Sequence, residues 1–96
     1  MSEVLTKQPA EKVPYAIDFV NLIPTGDSLA TVTSVASYPS GSGDLTIGTA
    51  VIEGTEVRFV VEGGIEGTTY RVEAITLTTL GYTLEGDGRL FVTDRT

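Results

Sequence analysis

The chain reads as all-β: a single antiparallel β-sandwich of six to eight strands, immunoglobulin-like or fibronectin-III-like, preceded by an extended N-terminal arm. Three observations point there. Its 96 residues include 15 threonines and 11 valines, whose branched side chains suit a pleated surface better than a helix. Apolar and polar residues alternate in several short runs, and no window sustains a helical period. Glycine-rich turn signals separate these runs at intervals of roughly 8–12 residues, the spacing of strands in a sandwich. A small closed barrel is the alternative topology. The length suits one domain.

Residues 1–14 contain Pro9 and Pro14 and little apolar periodicity. Proline lacks the amide a ladder needs and disfavours helix in the residue before it, so this stretch reads as an arm and residues 15–96 as the domain. Tyr15 to Val20 alternates and breaks at Asn21-Leu22-Ile23-Pro24, a strand ending in one turn that Asp18 can cap. Thr25-Gly26-Asp27 is a turn signal. Residues 28–37 form the next strand, where mixed parity implies a bulge or burial on both faces. Residues 39–44, PSGSGD, are a flexible inter-strand loop. Leu45 to Ile52 follows as a strand, ending at Glu53-Gly54-Thr55. Val57, Phe59 and Val61 share one face of the next strand, and Tyr70 to Ala74 repeats that pattern. Parity slips at Ala74-Ile75, implying a bulge or a change of sheet. Gly86-Asp87-Gly88 reads as a hairpin turn, with Leu90-Phe91-Val92 opening the last strand. Phe59, Tyr70 and Phe91 look like core, leaving Tyr38 and Tyr82 as isolated loop residues.

The formal net charge of −7 repels phosphate backbones and anionic lipid, which disfavours nucleic-acid and membrane-surface partners. The acidic residues read as spread along a solvated face. With no cysteine and no histidine, the chain offers no disulfide, thiolate metal site or serine–histidine pair. The first residues lack the apolar centre of a signal peptide, so synthesis and folding in the cytosol is the expectation. Carboxylate pairs such as Glu62 with Glu66, or Glu85 with Asp87, sit in turns without the burial that tunes an acid and a base. Glu85-Gly86-Asp87 lacks the further oxygen ligands that calcium requires. The reading is no catalytic residue, no metal and no cofactor.

The densest glycine stretch is EGGIEGTTYRV, residues 62–72. A phosphate cradle would need a helix after the glycines, whereas Thr69-Tyr70-Arg71-Val72 forms a strand. A KH-type clamp needs helices and basic residues, and here Glu62 and Glu66 flank the loop. The stretch fits a corner instead. Gly63 and Gly64 end one strand, Gly67 permits positive φ, and Tyr70 turns its hydroxyl back to upstream backbone as a tyrosine corner.

Read in order, Lys7-x-Pro9, Tyr15-Ala16-Ile17-Asp18-Phe19, Leu22, Gly26-Asp27-Ser28-Leu29 and Leu45-Thr46-Ile47 resemble segments of the short fiber–tail adaptor proteins of tailed phages. Val60-Val61-Glu62-Gly63-Gly64, Gly67-Thr68-Thr69-Tyr70-Arg71-Val72 and Gly81 continue the resemblance. It departs at Phe19, where the family commonly has tryptophan, and at Tyr82, where a basic residue is frequent. The resemblance implies a non-enzymatic virion protein, made in the host cytoplasm, contacting other virion proteins and forming a ring of copies. It makes Lys7, Pro9, Pro14, Tyr15, Asp18 and Phe19 the candidate interface. An extended arm can add a strand to a neighbour's sheet edge. A capsid-decorating or carbohydrate-binding attachment module is the alternative.

Overall fold

The computed structural model describes residues 4–41 and 43–93. Their regular structure is entirely β: β1 (Val4–Lys7), β2 (Lys12–Asp18), β3 (Leu29–Tyr38), β4 (Leu45–Ile47), β5 (Val51–Glu53), β6 (Glu56–Gly63), β7 (Thr69–Thr78) and β8 (Thr83–Val92). One sheet has the order β1-β8-β7-β3. The other runs β2-β6-β4, with β5 also on β6. All pairs are antiparallel except β1 with β8, which is parallel.

Alternation along β6 predicts its inward face correctly, and β2 packs its own alternate residues against that face. Tyr15, Ile17 and Phe19 on one side and Val57, Phe59 and Val61 on the other point inward. They meet Tyr70, Val72, Ala74, Leu90 and Val92 of the other sheet in one apolar cluster. Tyr15 lies opposite Phe59, ring stacked on ring at 5.5 Å, an arrangement that adds to simple area burial.

The described part of the arm is extended, but it lies within the fold. Residues 4–7 are β1, and β2 already begins at Lys12. Pro14 is tolerated there because β2 is an edge strand, so a missing amide on its open side breaks no ladder. Residues 1–3 lie outside the described chain.

Four other expectations are corrected. The run from Leu45 to Ile52 is two three-residue strands interrupted at residues 48–50. Gly86-Asp87-Gly88 makes no turn: β8 runs straight through it, and the hairpin turn lies at residues 79–82. Parity does not slip in β7, whose register with β8 is unbroken. Thr76 and Thr78 hold the inward positions while Ile75 and Leu77 face outward, and the Thr78 hydroxyl accepts the Tyr82 amide at 3.0 Å. Phe91 likewise faces outward and is half-exposed. Register shifts do occur in β3, between Leu29 and Thr31 and between Val32 and Ser34.

Candidate functional site

The corner after β6 is built from four separated segments. Gly63, Gly64 and Gly67 have φ of +77°, +100° and +84°, a region that side chains with a Cβ rarely enter. Gly64 also has no room for one: a Cβ there would lie 2.8 Å from Val92 Cγ2 and 3.4 Å from the Tyr70 ring. The Tyr70 side chain is fully buried, and its hydroxyl accepts the Ile65 amide at 2.9 Å and donates to Asp44 Oδ1 at 2.6 Å. Burial pushes that hydroxyl's pKa up, and the hydrogen bond to Asp44 adds to the shift. Gly67 N–H to Val92 O (2.7 Å) and Val92 N–H to Thr68 O (3.0 Å) tie the same loop to the end of β8.

Lys7 closes the other side of this corner. Its side chain is fully buried, and its ammonium donates to the carbonyls of Gly63 (2.6 Å), Gln8 (2.6 Å) and Pro9 (3.3 Å). Three acceptors match the three protons of an ammonium, so the charge is buried without being orphaned. Burial lowers the Lys7 pKa, and Glu11 and Glu62 oppose that shift. The contact with Gly63 joins β1 of one sheet to the end of β6 in the other. The resemblance made Lys7 a candidate interface residue, whereas its side chain is buried inside the fold. Its role depends on the Gly63 carbonyl, 56 residues away, which local pattern does not show.

The other candidate interface residues divide similarly. Tyr15 and Phe19 are core. Asp18 Oδ1 accepts from Val20 N–H at 2.9 Å and from the Thr55 hydroxyl at 2.8 Å, which pins the turn after β2 to the β5–β6 turn. Pro9 is half-buried beside the Lys7 ammonium. Pro14 is exposed and lines a shallow groove of about 310 Å³ with Tyr15, Ala16, Glu56 and Arg58. The Arg58 and Glu56 side chains pair on that groove at 2.6 Å.

Sequence reading gave Asp27 a place in the Thr25-Gly26-Asp27 turn, and the structure makes its side chain a second structural carboxylate. Its Oδ1 accepts the Ser28 amide at 2.8 Å and the Leu80 amide at 3.1 Å, holding the β7–β8 turn against the start of β3. Burial raises its pKa, but hydrogen bonds from the Thr78 side chain and from the Ser28, Leu80 and Thr79 amides outweigh that and leave it lowered.

The acidic groups of the outer face of β7 and β8 are open to solvent or ion-paired. Arg71 pairs with Glu73 at 2.8 Å and Arg89 with Asp87 at 3.8 Å. The hydrogen bond and charge of Glu73 raise the Glu85 carboxyl. Among the described residues, no group of three or more acidic side chains could hold a metal ion. Tyr38 ends β3 rather than sitting in a loop, and the Arg71 guanidinium lies over its ring at 4.9 Å. Tyr82 stands at the far end of β7, so the two exposed tyrosines make no common stacking surface.

A family model described as podophage GP4 fiber-tail adaptor protein gp77 matches residues 7–90. No curated protein sequence matches the chain. The family match begins at the clasp lysine and spans the corner and seven of the eight strands in full or nearly so, and the chain belongs to this phage adaptor family.

Proposed function

We propose that this chain is a non-enzymatic structural adaptor of the phage virion, placed where fibers meet the tail and held by protein–protein contacts. The observation that carries the reading is the family match across residues 7–90. The architecture supports it. β2-β6-β4/β5 and β3-β7-β8 follow the B-E-D and C-F-G orders of an immunoglobulin-like sandwich, with Tyr70 at the start of the sixth such strand. Glycines, a buried tyrosine and a caged lysine stiffen the corner, as suits a spacer between larger parts. Repetition of the adaptor about the tail axis gives a ring of copies, made in the host cytoplasm and ending in the particle. Pro14 and the groove beside it are the part of the candidate interface open to a neighbour.

Electron microscopy of purified particles tests the placement. Density for this fold between tail and fibers is the expected result. Density confined to the capsid shell, or absence of the protein from purified virions by mass spectrometry, would overturn the adaptor assignment. A Pro14→Asp chain that folds and still enters particles at the wild-type level would remove the groove from the interface.

A further inference from the structure

Three of the four sheet edges carry recognised guards against pairing with another chain. β2 presents Lys12, Pro14 and Asp18, β1 is four residues long, and β4 and β5 are three each. The remaining edge, β3, is ten residues long, LATVTSVASY, with neither a charge nor a proline. Among the described residues it pairs with β7 alone. Register shifts disturb its first half, but Ser34 to Tyr38 is regular, from Ser34 opposite Ile75 to Tyr38 opposite Arg71.

The charge distribution marks the same flank. From Ser28 to Ile52, twenty-five residues, Asp44 is the only charged residue, and its carboxylate is taken by the Tyr70 hydroxyl. The acidic residues are therefore unevenly distributed along the chain, a correction to their expected even spread. β4 and β5 of the other sheet lie against β3, so this segment forms a flank on which Asp44 is the single charge, in a chain whose net charge is −7. Two copies repel each other over most of their surface, and this is the side where that repulsion opposes contact least. A charge-depleted patch is also the composition of an interface core.

We propose that this flank is a contact between two copies of the chain, made by antiparallel pairing of β3 with β3 about a two-fold axis at Ala36. That register sets Tyr38 opposite Ser34 and Val35 opposite Ser37, large against small at each position, with the smallest side chain at the axis. The Arg71 guanidinium already holds the Tyr38 ring on the outer face. A head-to-tail ring needs a different surface, so this contact stands apart from the adaptor reading and joins copies in pairs.

Sedimentation of the purified full chain across micromolar to millimolar concentrations should show a monomer–dimer equilibrium, with a limiting mass twice the 10.1 kDa subunit. Ala36→Lys sets two ammonium groups together at the axis while leaving each a partner in Glu73, its cross-strand neighbour. This variant should keep its melting temperature and stay monomeric throughout. The chain has no cysteine, so Ala36→Cys carries a single thiol at a pair whose Cα atoms would be about 4.5–5.5 Å apart, within disulfide reach. Mild oxidation should cross-link it, whereas Val60→Cys on the opposite sheet's outer face should stay uncross-linked. A wild-type chain monomeric at every concentration, a trimer or larger species, dimerisation of Ala36→Lys, or equal cross-linking from both thiols would overturn the pairing. Incorporation into particles is a separate readout and reports on the adaptor assignment alone.

Discussion

At Gly63, Gly64 and Gly67 the backbone reverses through positive φ, whereas at Gly86 and Gly88 it runs extended through the middle of β8. In sequence the two clusters look alike, short glycine groups beside acidic residues and ahead of an apolar run. In the first, the backbone angle requires glycine. In the second, space requires it: a Cβ on Gly86 would lie 2.9 Å from Phe19 Cζ and 3.0 Å from Ile17 Cγ2. β8 passes so close to the end of β2 that the Phe19 ring packs on bare backbone. A strand glycine of this kind marks a close approach rather than a turn.

Substitutions separate the two causes. Gly64→Ala meets both, a disfavoured φ and a clash with Val92, and should cost about 2–5 kcal/mol by denaturant unfolding. A cost equal to that of Gly67→Ala would show that the Val92 contact relaxes freely. Gly86→Ala meets only the clash, and about 1–3 kcal/mol is expected. Trimming the ring that it strikes should offset much of this loss. Gly86→Ala with Phe19→Leu should therefore show positive coupling in a double-mutant cycle. Independent, additive costs would mean that the ring is not the obstacle.

Tyr70→Phe removes one donor and one acceptor from the corner while keeping the ring, so about 1–2 kcal/mol is expected, since Ile65 lies near solvent. Because the folded pKa of Tyr70 is raised above 10.0, its neutral hydroxyl's contribution is complete below that pH and declines as pH rises through the folded value. The difference between Tyr70→Phe and wild type should thus be constant at neutral pH and shrink in alkali. A difference that grows in alkali would contradict a hydroxyl retained in its neutral form. Gly67→Ala closes the series. Its Cβ would meet nothing within 4 Å, so only its φ of +84° is strained, and about 1 kcal/mol is expected.

Where side-chain chemistry and backbone geometry are local, the reading from sequence holds. Val57, Phe59 and Val61 alternate inward, and Asp18 caps the turn that follows it. It fails where a distant segment decides. Phe91 is as apolar as Phe59 but lies on the outward parity of β8, and Thr76 and Thr78 enter the core because β7 keeps its register with β8. The stretch from Ser28 to Ile52, with Asp44 as its single charge, was visible in the sequence, but it acquires meaning only when β3 and β4/β5 come together on one flank.

The sequence by itself determined strand composition, the turn after Asp18 and membership of a phage adaptor family, because each rests on residue type and on order along the chain. The tertiary structure alone decided that Lys7 would be buried among carbonyls, that Tyr15 and Phe19 would be core, and that Gly86 would lie beneath a ring. Each of these depends on which strands become neighbours across two sheets. That choice is made by cooperative packing among residues tens of positions apart, which no local period encodes.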